Sequence, residues 1–369
     1  MSMMVVAHHP LINPNKTGPL PSIASSFVHC HNKISVHSST KAPALSVSLR
    51  NISKGKVTIH QTMAAMGVKS EASPNKVAVV TGANKGIGLE TVRELTKAGV
   101  TVILTARNEK RGMEATSLMH NEGLSNVLFH QLDVQDDKSI VSLAEFVKAQ
   151  FGRLDILVNN AASTGVVVDE DCLRAKNIDP ADWLSGKATN LIQDVMITTY
   201  DKAKECLETN YFGVKKIIEA LLPLLQLSSS PRIVNLSTIR SQLRRVPDER
   251  RRKVLGDIDN LTEEAIEDIL QTFMSDVKED KLEENGWQKM LPAYSISKVS
   301  LNAYTRILAK KYPNMLINCV HPGYVNTDAN WHTGTLTLEE GAQGPVMVAL
   351  LPDDGPTGCY FDRTQLADF

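Results

Sequence analysis

From Lys76 onward, short apolar runs rich in β-branched residues alternate with segments whose apolar residues recur at helical spacing. Apolar runs bounded by turn residues predict buried strands, and a recurrence near 3.6 residues predicts helices. The alternation therefore predicts an α/β protein, with a Rossmann-type, doubly wound parallel sheet in a single domain. The six predicted strands are residues 76–80, 100–106, 127–132, 154–158, 232–236 and 315–320.

Three helices are predicted between the first four strands, ending near residue 98 and covering 108–122 and 139–151. Two segments, about 163–199 and about 241–291, interrupt the alternation. In the second, Thr262 can cap a helix whose Glu263 and Glu264 favour the positive end of the helix dipole. We expect the apolar stripe of this helix to pack on the core; it comprises Ile266, Ile269, Leu270, Phe273 and Val277.

A glycine-rich turn follows the first strand directly and opens the first helix. Gly82, Gly86 and Gly88 would let the backbone approach a pyrophosphate, which a helix N-terminus attracts. We therefore assign this turn to dinucleotide binding, together with Asn84, Lys85 and Ile87 between the glycines. The turn lacks the Gly-Lys-Ser/Thr ending of a nucleoside-triphosphate loop.

Basic residues occupy the place where the ribose of the cofactor would be recognised. An NAD-preferring site places Asp or Glu at the end of the second strand, to bind the ribose 2′-hydroxyl. This chain has Arg107 there, with Arg111 one helical turn later and Lys85 in the preceding turn. Three converging cations suit a 2′-phosphate and predict NADPH/NADP⁺ as cofactor. The alternative is that they are solvated surface charges.

Tyr294 and Lys298 are spaced to lie on the same face of a predicted helix. A phenol with an ordinary pKa near ~10 is a poor acid-base catalyst at neutral pH, and a nearby fixed cation favours the phenolate. The pair therefore suggests a proton donor assisted by an ammonium group.

The order of these motifs along the chain resembles that of the short-chain dehydrogenase/reductase family over residues 76–361. The resemblance rests on the glycine turn, Asp133, Asn159-Asn160-Ala161, Asn210, Thr238, Tyr294/Lys298 and Pro322-Gly323. The long segment before Tyr294 and the string from His321 to Asp328 are similar to the monomeric carbonyl-reductase branch. That branch includes plant menthone/neomenthol and salutaridine reductases.

The resemblance implies a role for each matching residue. Tyr294 would protonate the carbonyl oxygen while NADPH delivers hydride to the carbon. Lys298 would hold the nicotinamide ribose and depress the pKa of the phenol, Thr238 would bind the substrate oxygen, and Asn210 would support a proton relay. The remaining implied cofactor contacts are Asp133 and Val134 at the adenine, Asn159 and Asn160 at the cofactor floor, and Pro322, Gly323, Val325 and Thr327 at the nicotinamide and diphosphate.

Two departures from the family pattern bear on activity. Thr238 stands where the family usually has Ser; it keeps a hydroxyl donor but adds a methyl group. Ala162 ends a motif that usually ends in Gly, which would cost stability if the backbone there has a positive φ. These departures motivate one rival interpretation, a cofactor-binding protein that has lost catalysis. The other rival is reduction of a conjugated C=C bond, which Tyr294 disfavours.

The insertion before Tyr294 implies, by the same resemblance, a monomer, since it would cover the helices through which other members oligomerise. Its arginines include Arg244, Arg245 and the run 250–252. Acidic residues interleave and no aromatic platform accompanies them, so we expect a solvated face and no nucleic-acid partner. The expected partner is a small-molecule carbonyl substrate. No apolar stretch approaches the ~18 residues of a membrane span.

Residues 1–70 contain seven Lys or Arg and no Asp or Glu, and the remaining 299 residues hold 33 basic and 41 acidic residues. This composition predicts a disordered leader over residues 1–71, before a reductase domain over 72–369. It is typical of a transit peptide, and the single Arg50 favours a plastid address. The alternative is a cytoplasmic protein whose translation starts at Met63 or Met66. Five cysteines show no metal-ligand spacing, so no metal is predicted.

Overall fold

The apolar runs become the strands of one twisted sheet. The structure is a computed structural model, and it describes residues 76–369. The predicted leader lies outside these residues. The strands are β1 (Val77–Val80), β2 (Thr101–Ala106), β3 (Val127–Gln131), β4 (Ile156–Asn159), β5 (Val167–Val168), β6 (Met196–Ile197), β7 (Arg232–Leu236), β8 (Leu316–His321), β9 (Tyr360–Asp362) and β10 (Gln365–Ala367).

Eight of these strands form the main sheet in the order β3-β2-β1-β4-β7-β8-β9-β10, with all neighbours parallel except β9 and β10. The predicted Rossmann-type parallel sheet is thereby confirmed. Chain order reverses at β1, which pairs with β2 on one side and β4 on the other. Ligands of doubly wound folds bind where this reversal occurs, beyond the carboxyl ends of the strands.

Helices cover both faces of the sheet and make a three-layer domain. They are α1 (Gly86–Lys97), α2 (Glu109–Asn121), α3 (Asp137–Phe151), α4 (Glu170–Ala175), α5 (Pro180–Ser185), α6 (Thr189–Ile192), α7 (Tyr200–Leu207), α8 (Gly213–Leu225), α9 (Glu249–Gly256), α10 (Glu263–Lys278), α11 (Pro292–Lys311) and α12 (Leu338–Ala349). Helices α1, α2 and α12 share one apolar cluster with the sheet, and α3, α8, α10 and α11 share the other. No helix in residues 76–369 meets the length and hydropathy that a bilayer span requires.

The two predicted interruptions have different packing. In the second, Thr262 caps α10 by accepting a hydrogen bond from the Ala265 N–H (3.2 Å), as expected. Ile266, Leu270 and Phe273 of α10 are buried in the core. The first interruption instead contains α4 to α6 and the β5–β6 ladder, and its apolar side chains form a third, separate cluster. This cluster includes Leu173, Trp183, Ala188, Ile192, Val195 and Met290.

Candidate active site

The glycine-rich turn lies at the carboxyl end of β1, pressed against the segment that follows β4. Thr81 Oγ1 accepts hydrogen bonds from the backbone N–H groups of Asn160 and Ala161, both at 3.0 Å. Gly82 has φ +60°, and a Cβ added there would lie 2.9 Å from the Ala161 Cα. A side chain at this position would therefore force the two segments apart.

Asn160 fastens this turn through its side chain. Its Nδ2 donates to the carbonyl oxygens of Thr81 (2.8 Å) and Gly82 (3.0 Å). A Cβ on Gly88 would lie 2.4 Å from that same Nδ2. Asn159 differs, because its side chain is buried within the sheet and donates to Asn235 Oδ1 (2.8 Å).

A cleft of about 660 Å³ runs from the glycine turn to Tyr294 and Lys298. It brings together most of the residues that the sequence assigned to cofactor binding. Those that line it are Gly82, Asn84, Lys85, Gly86, Ile87, Arg107, Asp133, Val134, Asn160, Tyr294, Lys298, Pro322 and Thr327. The predicted residues outside its lining are Gly88, Arg111, Asn159, Asn210, Thr238, Gly323 and Val325.

Of the three cations predicted at the 2′-phosphate, two line the cleft. Arg107 lies exposed at the end of β2, and Lys85 forms an ion pair with Asp328 (Nζ–Oδ2 2.5 Å). Arg111 is exposed and does not line the cleft, and its backbone N–H donates to the Asn108 side chain that caps α2 (2.9 Å). The glycine cradle, Arg107 and Lys85 form a donor set that fits a phosphorylated dinucleotide.

The loop after β8 forms another wall of the cleft and contacts the glycine turn. Asp328 in this loop holds Lys85 and also lies 3.1 Å from His332 Nε2. The ion pair with Lys85 lowers the pKa of the Asp328 carboxyl. Gly323 and Val325 shape the loop from behind, since a Cβ on Gly323 would meet the Leu336 side chain at 2.4 Å and Val325 is buried.

Tyr294 and Lys298 occupy the first turns of α11, at the far end of the cleft. The Lys298 Nζ lies 5.9 Å from the centroid of the Tyr294 ring and donates to the Leu236 carbonyl oxygen (2.7 Å). Burial lowers the pKa of Lys298 to about 8. Burial also raises the pKa of Tyr294 to about 12, although Arg240 and the Thr238 hydroxyl oppose that rise.

The raised pKa of Tyr294 is opposite in direction to the depression expected from Lys298. The physical reason is that desolvation of the phenolate outweighs every nearby positive charge. The phenol is consequently protonated at neutral pH, which is the state that a proton donor requires.

Thr238 lies beside the phenol, at the end of β7. Its Oγ1 accepts a hydrogen bond from the Arg240 N–H (3.3 Å), and it also interacts with the Tyr294 hydroxyl. The neighbouring serines are held elsewhere: Ser237 Oγ donates to Asn302 Oδ1 (2.6 Å), and Ser241 Oγ donates to the Thr238 carbonyl (2.5 Å). Of these three hydroxyls, the one on Thr238 is placed to act together with Tyr294.

Asn210 lies in a π-helical turn, Glu208–Phe212, that joins α7 to α8. Such turns occur frequently at functional sites. The Asn210 Nδ2 donates to the Ser163 carbonyl (2.9 Å) and to Ser297 Oγ (3.0 Å), and its Oδ1 accepts from the Ser163 N–H (2.8 Å). Its side chain thus ties the start of the first insertion to α11, next to Tyr294.

Ala162 does not have a positive φ. Alanine in place of the family's usual glycine therefore causes no backbone strain at this position. The replacement of the family's usual serine by Thr238 remains as a departure near the reacting groups.

Several residues around this site belong to none of the motifs recognised in the sequence. Trp331 and His332 line the cleft after the recognised string ends at Asp328, and Thr164 and Val166 line it from the first insertion. Arg240 interacts electrostatically with Tyr294 but belongs to no motif. Extending the recognised string by a few residues would have included Trp331 and His332, whereas nothing in the sequence marked Arg240.

Comparisons with known proteins agree with this geometry. A family model described as short chain dehydrogenase matches residues 76–247. Short-chain dehydrogenase/reductase 1 from Saponaria officinalis is 50% identical over 297 residues, covering 80% of this chain and 96% of that protein. (+)-Neomenthol dehydrogenase from Arabidopsis thaliana is 47% identical over 304 residues, covering 81% of this chain and 100% of that protein.

A solved structure extends the similarity to three dimensions. Salutaridine reductase from Papaver somniferum superposes with a TM-score of 0.73 at 46% sequence identity. The match covers 78% of this chain and 99% of that one. It therefore spans almost the whole described domain, including both insertions.

Proposed function

Because this chain belongs to the short-chain dehydrogenase family, we propose that it reduces the carbonyl of a small, fairly apolar ketone or aldehyde to the alcohol, reversibly and with NADPH. The observation that carries the proposal is the protonated, half-buried Tyr294 at the end of a cleft that begins at the glycine turn. The relatives named as a neomenthol dehydrogenase and a salutaridine reductase support the same chemistry.

The preference for NADPH is supported by the ends of β1 and β2. Arg107 occupies the position at which an acidic residue would select NADH, and Lys85 lines the same cleft. Asp133 and Val134 border the cleft at the side expected to receive adenine. Once bound there, the cofactor supplies the hydride.

The chain's own residues would handle the proton. Tyr294 would donate its hydroxyl proton to the carbonyl oxygen as that oxygen gains negative charge, and the Thr238 hydroxyl would hydrogen-bond the same oxygen. Lys298, anchored on the Leu236 carbonyl, would hold the nicotinamide ribose and place a cation near the phenol. Asn210 would fix the start of α11 relative to the first insertion.

The two rival interpretations make different predictions. A C=C reductase would deliver hydride to carbon without needing a proton donor at a carbonyl oxygen, and Tyr294 argues against it. A protein without catalysis was suggested by Thr238 and Ala162, but Ala162 carries no backbone strain. The presence of the Thr238 hydroxyl beside Tyr294 also favours an active enzyme.

The proton donor is tested by substituting Tyr294→Phe, with Tyr312→Phe, directly after the end of the same helix, as the matched control. NADPH oxidation would be followed with a panel of saturated cyclic ketones and conjugated cyclic enones, and the products would be identified as alcohols or, from the enones, as saturated ketones. We expect Tyr294→Phe to lose at least the ~10²-fold contributed by a general acid, while NADPH binding persists. Near-normal turnover in this variant would refute the mechanism, and a saturated ketone as product would favour the C=C rival.

The cofactor assignment is tested by substituting Arg107→Asp. This variant should weaken NADPH binding and narrow its advantage over NADH, as measured by fluorescence titration with each cofactor. Arg111→Asp should have the smaller effect, since Arg111 lies outside the cleft lining. Equal losses for both cofactors in Arg107→Asp would show that Arg107 serves only the fold.

Two further proposals concern the protein's state in the cell. We propose a monomer, because α9 and α10 of the second insertion pack over α11; sedimentation at micromolar concentration tests this.

We also propose a plastid location directed by the leader, whose alternative is a cytoplasmic protein starting at Met63 or Met66. Import and shortening of a fluorescent fusion to residues 1–70 would distinguish the two.

A further inference from the structure

A second cavity, of about 380 Å³, lies next to the catalytic end of the cleft. Residues of both insertions form its walls: 186–190 beside α5 and α6, 240–247 after β7, and 288–290 before α11. Ser295, which directly follows Tyr294 in α11, completes the lining. The cavity therefore belongs to the substrate side of the molecule and shares a helix with the proton donor.

The lining of this cavity is strongly basic. Its eleven residues include Lys187, Arg240, Arg245 and Lys289 but no Asp or Glu. Lys289 forms an ion pair with Glu283. The other three cations have no carboxylate partner within residues 76–369, so the cavity carries a positive charge that the described part of the chain does not neutralise.

The two arginines are held in place, and within residues 76–369 most of their guanidinium N–H donors have no hydrogen-bond partner. Arg240 Nη2 donates to the Trp183 carbonyl (3.0 Å), and Arg245 Nη1 donates to the Leu184 carbonyl (3.2 Å), both in α5. Gln288 Nε2 bonds the backbone carbonyls of both arginines (3.2 and 2.9 Å). Each guanidinium has five N–H donors, and the Arg245 Nε is buried without a hydrogen-bond partner in the described residues.

Arg240 links this cavity to the reacting groups. Its guanidinium interacts with the phenols of Tyr294 and Tyr324 and opposes the rise of both their pKa values. Burial lowers the pKa of Arg240 to about 10, so it keeps its charge at neutral pH. An anion bound beside this half-buried guanidinium would offset the cost of its partial removal from water.

We propose that this cavity is a subsite for an anionic group of the carbonyl substrate, such as a carboxylate, with Arg240 and Arg245 as its receptors. The proposal rests on the carbonyl-reductase function and specifies a substrate whose apolar body joins the ketone or aldehyde carbonyl to a carboxylate at a distance from it. Arg245 binds the anion away from the reacting atoms. Arg240 lies between the anion and the phenol.

The experiment uses linear methyl ketones of increasing chain length that end in a carboxylate, each paired with its primary amide. Steady-state kcat/KM would be measured with NADPH for wild type, Arg245→Gln and the matched control Arg244→Gln. Arg244 is exposed, pairs with Gln242 and does not line the cavity. Cyclohexanone serves as the neutral reference substrate, and NADPH binding by fluorescence reports whether each variant is folded.

We expect wild type to prefer the acid over the amide by about tenfold or more at one chain length, since hydrogen bonds to charged groups are the strong ones. Arg245→Gln should abolish this preference through a higher KM for the acid, leaving the amide and cyclohexanone unchanged, and Arg244→Gln should retain it. Equal kcat/KM for acid and amide in wild type at every length would overturn the subsite while leaving the reductase function intact. A retained preference in folded Arg245→Gln would also overturn it. Failure of every ketone, cyclohexanone included, would instead refute the proposed function.

Discussion

Substituting Gly88→Ala tests whether the glycine turn is held by Asn160 in the way the structure shows. Gly88 lies in the first turn of α1, where alanine would ordinarily stabilise a helix by about 1 kcal/mol. Here the new Cβ would lie 2.4 Å from Asn160 Nδ2 and 3.0 Å from the Ala83 Cα. The amide must therefore move, and its hydrogen bonds to the carbonyls of Thr81 and Gly82 are lost.

The size of the effect follows from those two bonds. Each contributes about 1 kcal/mol, and the carbonyl of the buried Thr81 adds to the loss when it is left without its partner. After the helix propensity of alanine is subtracted, we expect the free energy of unfolding to fall by about 1–2 kcal/mol. Because the loosened turn is also the proposed pyrophosphate cradle, the Kd for NADPH should rise about tenfold.

Urea unfolding and fluorescence titration with NADPH measure the two quantities. The matched control is Gly256→Ala at the end of α9, where the added Cβ would lie 3.5 Å from the Leu243 side chain in ordinary contact. We expect this control to change stability by less than about 0.5 kcal/mol. If Gly88→Ala unfolds at the same urea concentration as Gly256→Ala and binds NADPH as wild type does, the proposed role of Asn160 is wrong.

Three further predictions concern the cleft. Thr238→Ser should keep or raise activity with bulky ketones, whereas Thr238→Ala should lower kcat; a silent Thr238→Ala would remove this hydroxyl from the mechanism. Asp328→Asn should release Lys85 and lower the Kd for NADPH several-fold in fluorescence titration, with a smaller change for NADH, and an unchanged Kd would show that the ion pair does not compete with the cofactor. Burial lowers the pKa of Lys298 from its ordinary value near 10.5 to about 8. Between those two pH values the unfolded state therefore binds more protons than the folded state. The free energy of unfolding of wild type, compared with that of Lys298→Met, should consequently rise by up to about 3 kcal/mol from pH 8 to 10.5. A difference in urea unfolding that stays constant over that range would contradict the last prediction.

Local patterns in the sequence predicted much of this molecule. The strands are continuous apolar runs, and the Tyr294–Lys298 pair follows from helical spacing, so neither needed information from distant residues. Strands β9 and β10 were missed because they are only three residues long at the sheet edge, too short to show a pattern. The arginines of the second insertion were predicted to form a solvated face, but Arg245 is half-buried against α5.

The sequence could not show which distant residues come into contact or how burial shifts their pKa values. The ion pair between Lys85 and Asp328 joins residues 243 positions apart. Arg111 lies one helical turn after Arg107, yet it does not line the cleft, and its backbone N–H donates to the Asn108 side chain that caps α2. The pKa of Tyr294 depends on how much water the surrounding elements exclude, which spacing along the chain does not reveal.

The separate apolar cluster of the first insertion has a consequence for how such an enzyme can diversify. Leu173, Trp183 and Ile192 pack with one another and with Met290, apart from the two clusters that flank the sheet. Substitutions distant from each other and without shared partners act nearly independently on stability. The wall that we propose to face the substrate can therefore accumulate mutations, and with them new specificities, with little effect on the stability of the cofactor half of the domain.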